Sequence, residues 1–521
     1  MTRTQADVAR TISRTLADFE KPGVISVRPG YAFEAVWITD RPAIVVTVDG
    51  AAEGVPERID DIPVEIRAAS AAKRQRILDP AAYQCAGHLT PDTGAVPEFD
   101  TEFAFTQAGS PAPLAALEPR ATAGAAKAQL PYTAPPGVSL HAVSGELTIE
   151  VSATPDSAWP VLKAFLDATT HTLSVALYDF TSAHVLSEVE TALAGKRLNL
   201  TLDHPALDPT ADQTDAQTVA ALRSTLAAGL DQAWALERMD PLATAWIYPT
   251  AYHIKVAVQD SSRVWLSSGN WNNSNQPAID PVDDPGDATA ARSADRDWHV
   301  VVSDPSLAQN LEAFVLHDLE IAAAHNAASA SGSPQSAESA RAITPPFAQF
   351  FPAKTITGQM TITPLLTPDP GVYADAVLAL IRSAQRTLHL QFQYIELPSA
   401  SAASESAAFS ALVSAVIERQ GAGVEVQIIM SEYETAGYLE QLQSAGLDVV
   451  SNVKIQNNVH NKGIVVDGST VLVSSQNWSA DGVLRNRDAG LIIESADVAG
   501  YFDQLFAHDW TNLAAAQAQP D

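Results

Sequence analysis

Two short segments carry the same side chains at the same spacing. They are Tyr252-His253-Ile254-Lys255-Val256-Ala257-Val258-Gln259-Asp260 and Val459-His460-Asn461-Lys462-Gly463-Ile464-Val465-Val466-Asp467, and both read His-x-Lys-x4-Asp. Ten residues beyond each Asp stands an Asn followed by Trp, in Ser267-Ser268-Gly269-Asn270-Trp271 and Ser474-Ser475-Gln476-Asn477-Trp478. Imidazole, ammonium and carboxamide groups all suit phosphate oxygens, and an imidazole can act as nucleophile, base or acid. The chain holds 12 His and 9 Lys in 521 residues, so two complete copies of this pattern are not an accident of composition.

The spacing requires a hairpin. On a strand, residues i and i+2 share a face, so His253 projects with Lys255 and His460 with Lys462, while Ile254, Val256 and Val465 face the core. Asp260 and Asp467 close each strand at a turn, and a returning strand brings Asn270 and Asn477 beside the His and Lys. If the two sets face one another about a pseudo-twofold axis, a phosphodiester can be displaced in two steps. One imidazole attacks phosphorus while the other protonates the leaving oxygen; water or an alcohol then reverses the roles. Two lysines and two asparagines supply fixed donors to the transition state, so no metal or other cofactor is expected. Both imidazoles start near pKa ~6.5, and their surroundings must split them. Asp297 and Asp488, in Asp295-Arg296-Asp297 and Asn486-Arg487-Asp488, are the candidates to orient them.

The elements around these motifs are duplicated. Thr154-Pro155-Asp156 and Thr367-Pro368-Asp369 open the two halves at an offset of 213 residues, and the offset between the motif histidines is 207. In each half a helical pattern is followed by a buried-type strand, Leu173 to Tyr178 and Leu388 to Tyr394, whose tyrosines match at an offset of 216. Alternating strands and helices imply an α/β sheet in each half. The expected organisation is a small α/β module over 1–106, an Ala/Pro-rich linker over 107–138 and a first half over 139–325. An Ala/Ser/Pro-rich linker over 326–346 and a second half over 347–521 complete it. Val24 to Val27, Ala43 to Val48 and Val64 to Arg67 read as strands of the module, which carries no recognisable catalytic cluster. A Ser/Ala run over 399–408 reads as a loop.

Lys and Arg number 31 against 61 Asp and Glu, a formal charge of −30. That balance disfavours a general nucleic-acid binder, which neutralises phosphates with cations, and an anionic membrane surface. It leaves room for one phosphate at a time, held by the two motif lysines. One cysteine, Cys85, excludes an internal disulfide and a cysteine-based zinc site. No apolar leader or run of ~18 apolar residues is visible, so a cytoplasmic protein without a transmembrane segment is expected, leaderless export being the alternative.

The duplicated motif resembles that of the phospholipase D superfamily, over roughly Gly145 to Trp510. The resemblance implies two tandem α/β halves related by a pseudo-twofold and a catalytic set of His253, Lys255, Asp260, His460, Lys462 and Asp467. Within it, His253 would be the nucleophile and His460 the general acid. Lys255, Lys462, Asn270 and Asn477 would bind phosphate, Asp297 and Asp488 would contact the imidazoles, and Asp260 and Asp467 would be structural. Two departures stand out. The Gly usual before Ser-x-Asn is Ser267 and Ser474, and the first half carries an insertion, Pro277 to Ser293. The implied activity is hydrolysis or headgroup exchange on a phospholipid or another small phosphodiester. A nuclease using the same chemistry is the alternative, and a scaffold with a decayed site a weaker one.

Other features take plainer readings. Trp271 and Trp478 read as core, the acidic stretches over 280–287 and 203–215 as solvated loops, and Phe347, Phe350 and Phe351 as packing at the domain junction. Arg296 and Arg487 could simply form surface ion pairs with their acidic neighbours. His88, His141, His171, His204 and His389 have no partner pattern.

Overall fold

The computed structural model describes residues 3–34, 37–50, 53–69, 102–105, 112–113, 132–203, 206–207, 212–240, 243–246, 251–325, 333–334, 343–369, 372–398, 406–432 and 435–515. Cys85, most of both expected linkers and most of the 399–408 run lie outside these residues.

To the large sheet the first half supplies seven strands: β1 (Val143–Thr154), β2 (Thr172–Leu177), β3 (Arg197–Leu202), β4 (Leu230–Trp234), β5 (Lys255–Gln259), β6 (Arg263–Ser267) and β7 (Asp297–Ser303). The second repeats them as β8 (Lys354–Thr367), β9 (Thr387–Phe392), β10 (Glu425–Met430), β11 (Val453–Ile455), β12 (Lys462–Val466), β13 (Thr470–Ser474) and β14 (Asp488–Glu494). The expectation of one sheet per half needs correction, because all fourteen join a single sheet. Its order, β4-β3-β2-β5-β6-β7-β1-β8-β14-β13-β12-β9-β10-β11, reads as the same series outward from the centre. The cause is the length of β1 and β8, which pair antiparallel from Val143↔Ile362 to Val151↔Lys354. Glu146 lies opposite Gln359, 213 residues on, the same offset as Thr154 and Thr367, so the pseudo-twofold axis passes through that pair.

Register also corrects one correspondence. Lys255 pairs with Leu177 and Lys462 with Phe392, so the counterpart of Tyr178 is Gln393 rather than Tyr394.

Helices cover both faces. Counting from α1 (Gln5–Thr15) in the N-terminal module, the first half adds α2 (Ala158–Asp167), α3 (Ala183–Ala192), α4 (Asp215–Leu226) and α5 (Pro305–His325). The second half adds α6 (Val372–Ser383), α7 (Ala407–Gly421), α8 (Thr435–Ala445) and α9 (Ala496–Asn512). On β5, Val256 and Val258 join a core cluster with residues of α5 and α9, while Ala257 joins the cluster built on α2, α3 and α4. The strand's period of two thus divides its side chains between two helical layers. The first of these clusters spans both halves, taking in Leu311 and Phe314 of α5 and Phe502 and Phe506 of α9.

In the module, Thr4 caps α1 in a reciprocal box with Asp7. Strand Val24–Glu34 pairs antiparallel with Trp37–Val48, which pairs parallel with Ile62–Ala68. The module docks through a buried carboxylate, Glu440 of α8, which pairs with Arg28 and with Arg67 at 2.9 Å and accepts Tyr31 N at 3.1 Å. A Cβ at Gly30 would stand 2.6 Å from Glu440 Oε1, so glycine is what lets the carboxylate approach. A cavity of about 810 Å³ beside this junction is lined by Glu34, Asp40, Leu447 and Asp448 and contains none of the motif residues.

Candidate active site

Both motif lysines begin their strands, β5 and β12, and both motif histidines lie just before them. The chain crosses over there. Arg296 of the first half bridges Val459 of the second, with Arg296 N donating to Asn458 O at 2.8 Å and His460 N donating to Arg296 O at 3.1 Å. The mirror bridge joins Tyr252 to Arg487, with Arg487 N donating to Ala251 O at 2.8 Å. Each histidine is thereby delivered to the other half's triplet.

The imidazole–carboxylate pairs are exchanged as a result. His253 Nδ1 meets Asp488 Oδ1 at 2.9 Å, and His460 Nδ1 meets Asp297 Oδ1 at 3.0 Å. A carboxylate fixes the Nδ1–H tautomer, leaving Nε2 with its lone pair for chemistry. Lys255 and Lys462, both 0% exposed, each donate one hydrogen back to the carbonyl of their own motif histidine, and each keeps two donors for a ligand. Asn270 and Asn477 are buried, and the Oδ1 of each meets no donor among the described residues. Tyr178, half-exposed, lies edge-on to His253 at 5.1 Å, with Lys255 Nζ 5.3 Å from its ring.

Burial and then the Lys255 ammonium push His253 down to about 4, against the pull of Asp488. Burial and Lys462 hold His460 well below the usual imidazole range. Burial brings Lys462 down to about 8 and Lys255 well below the ordinary lysine value. An anion placed between the lysines would reverse these shifts.

Asp260 and Asp467 are not brought to this site, which corrects their place in the catalytic set. Each sits at a hairpin turn with positive φ, 49° and 53°, at the far end of a five-residue strand, roughly 15 Å from the imidazoles. Asp260 accepts the N–H groups of Thr170, His171 and Thr172 at 2.7 to 2.8 Å. Asp467 accepts those of Gln385, Arg386 and Thr387 at 2.7 to 2.9 Å. Burial raises both carboxyls, but these N–H groups hold them below the usual range. They tie the hairpin to the loop preceding β2 and β9.

The arginines of the two triplets are not surface ion pairs. Arg296, 2% exposed, forks onto Asp509 of α9 at 2.8 and 2.9 Å and also binds Asp156. Arg487, 0% exposed, forks onto Asp318 of α5 at 2.8 and 2.9 Å and reaches Asp369 at 3.0 Å. Each clamp joins one half to the other. Asp156 and Asp369 belong to the repeated Thr-Pro-Asp, whose role the sequence left open. Asp318 and Asp509 follow His317 and His508, 191 residues apart, the offset that also separates Asp297 from Asp488. Tyr132, inside the expected first linker, donates to Asp369 at 3.0 Å.

The remaining expectations fall outside the site. Trp271 and Trp478 are core residues, 0% and 1% exposed. In the insertion, Asp280 N donates to Asp287 and Gly286 N to Asp284. Phe347 stacks on His508 at 6.4 Å, and Phe351 is buried. Among the described residues no cluster of His, Cys, Asp and Glu is placed to hold a metal, and no helix is long and apolar enough to cross a membrane.

Residues 377–510 match the family model described as "Cardiolipin synthase, PLD-like domain". The chain is 28% identical over 170 residues to a mitochondrial cardiolipin hydrolase of Xenopus tropicalis, covering 31% of this chain and 74% of that protein. It is 30% identical over 108 residues to a phospholipase D of Rickettsia conorii, covering 20% of this chain and about half, 52%, of that one. Among solved structures, phosphatidylserine synthase of Haemophilus influenzae Rd KW20 aligns over 71% of this chain and 88% of its own, at 12% identity and a TM-score of 0.46.

Proposed function

We propose that this chain, which belongs to the phospholipase D superfamily, cleaves or exchanges the headgroup of a phospholipid through a phosphohistidine intermediate. The observation that carries this reading is the pair of imidazoles, each held at Nδ1 by a carboxylate of the opposite half and each accompanied by a buried lysine. His253 Nε2 attacks phosphorus and the bond to the leaving oxygen breaks, with His460 Nε2–H donating its proton to that oxygen. Water or an alcohol then attacks the phosphohistidine, gives its proton to His460, and releases His253 with its electron pair. Lys255, Lys462, Asn270 and Asn477 donate to the equatorial oxygens, where charge builds in the transition state.

The names of the relatives and the charge of −30 both support a lipid over a nucleic acid. The deciding experiment is a panel of choline, ethanolamine and glycerol phospholipids beside single- and double-stranded nucleic acids, run with wild type and His460→Ala. Phosphatidic acid should form, joined by a phosphatidyl alcohol when a primary alcohol is added. Cleavage of nucleic acid at a comparable rate would transfer the assignment to a nuclease.

The pH profile follows from the shifts. Below about 4 His253 is protonated and has no lone pair; above about 8 Lys462 loses its charge. In kcat/KM on a soluble short-chain lipid, which reports the free enzyme, activity should fall on the acid side as His253 is protonated and on the alkaline side as His460, held well below the usual imidazole range, and then Lys462 lose their protons. A profile with no fall on either side would rule out these assignments.

A further inference from the structure

The two imidazole–carboxylate pairs are not copies of each other. Behind His460, Asp297 accepts from Ser268 Oγ at 2.7 Å on Oδ1 and from Asn275 Nδ2 at 2.8 Å on Oδ2. The same amide nitrogen donates to Asp295 Oδ2 at 2.6 Å, and Asn275 Oδ1 accepts Asn270 N at 2.9 Å. A second carboxylate, itself buried, is thus strapped to the first. Behind His253, Asp488 Oδ1 accepts Ser475 Oγ at 2.5 Å, but Oδ2 meets no donor among the described residues. The counterpart of Asn275 is Gly482, and the counterpart of Asp295 is Asn486.

The exchange is enforced by space. A Cβ at Gly269 would stand 2.6 Å from Asp297 Oδ2 and 2.8 Å from Asn275 Cβ, and the second half carries Gln476 at that position. A Cβ at Gly482 would stand 2.2 Å from Asn477 O, so no side chain can imitate Asn275 there.

We propose that the Asp295–Asn275 pair breaks the symmetry of the site: by holding a second carboxylate behind His460, it makes His460 the proton donor and leaves His253 as the nucleophile. The inference rests on the phosphodiesterase reading above and adds what decides between its two imidazoles. The charged and titratable groups bearing on His460 are Asp297, Asp295, Lys462, Lys255 and His253. Those bearing on His253 are Asp488, Lys255, Lys462, His460 and Tyr178. The lysines act on both imidazoles; the extra carboxylate acts on one. Burial lowers both imidazoles; when a diester anion enters and offsets the lysines, the second carboxylate behind Asp297 favours placing the single proton needed for cleavage on His460. That proton passes from His460 Nε2 to the leaving oxygen as the His253–phosphorus bond forms and the phosphorus–oxygen bond breaks. Asp295 and Asn275 are positioning residues, since they act through Asp297 and His460.

The test compares phosphatidylcholine with phosphatidyl-p-nitrophenol, which share the phosphatidyl group but differ in leaving group. Asp295→Asn should lose at least about tenfold more rate on the alkoxide-leaving lipid than on the p-nitrophenolate-leaving one, which needs little protonation. Its alkaline limb in kcat on phosphatidylcholine should move to lower pH. Asn486→Asp, on the other face, should instead move the acid limb upward and slow both substrates, because it favours protonation of the nucleophile. Alkaline quench and peptide mass spectrometry should locate the wild-type phosphohistidine at His253. Equal losses on both lipids with unmoved limbs, or an intermediate on His460, would overturn this inference alone. Failure of wild type to cleave any diester would remove the underlying reading with it. If Asp295→Asn does not fold, Asn486→Asp and the trapping experiment decide the question.

Discussion

His253→Ala should lower phosphodiester turnover by about 10⁴-fold or more while leaving the thermal unfolding midpoint close to that of wild type. On the proposed mechanism the imidazole does two things that alanine cannot: it supplies the attacking lone pair and it serves as the leaving group in the second step. The fold should survive because His253 adds no strand pairing of its own and lies just before β5. Its loss leaves Asp488 with the Ser475 hydroxyl and with the charges of Lys255 and Lys462 nearby, so that carboxylate is not left without cations. His460→Ala should cost about 10²–10⁴-fold, the range for a general acid, and the cost should shrink with p-nitrophenolate as leaving group. Retention of most phospholipid turnover by either variant, measured as product release from short-chain phosphatidylcholine, would eliminate the mechanism.

The second large effect concerns stability. Arg296→Ala leaves Asp156 and Asp509 buried at 0% exposure without their shared cation, a kind of change that costs about 3–5 kcal/mol. Arg487→Ala strands Asp318 and Asp369 in the same way. The exposed pair Arg41–Glu34, with side chains 57% and 70% exposed, is the control, and Arg41→Ala should change stability by about 1 kcal/mol at most. Urea unfolding of the three variants makes the comparison; equal midpoints for Arg296→Ala and Arg41→Ala would mean the clamp contributes nothing. Because Arg296 O also receives His460 N, the unfolding loss should come with reduced activity below the transition.

The groups of the candidate site were legible because a strand's period of two and a tight hairpin fix His, Lys and Asn relative to one another within one short segment. Which carboxylate served which imidazole was not. That depends on β1 pairing with β8 and on the Arg296–Val459 and Tyr252–Arg487 crossings, and no local spacing encodes them. The clamps were hidden by proximity, since an Arg next to an Asp reads as a local ion pair. Neighbours on an extended chain point to opposite faces, so Arg296 and Asp297 were always destined for different partners. The single sheet escaped notice for a related reason: the alternation along β1 and β8 shows that each has one buried face, but not which edge it presents to which neighbour. Tyr178 and Tyr394 were matched by residue type, and only the ladder register shows that they are offset by one.

The exchange of carboxylates has a consequence for how the protein is made. Asp488 is 235 residues downstream of His253. A ribosome adding ~5–20 residues per second takes roughly 10–50 s to cover that distance. During that interval the core shared by α5 and α9 lacks its second-half side, and His253 has no carboxylate to set its tautomer. A product ending before Asp488 therefore lacks the carboxylate that His253 meets. On the proposed mechanism the site is assembled only when β14, which begins at Asp488, is laid beside β8.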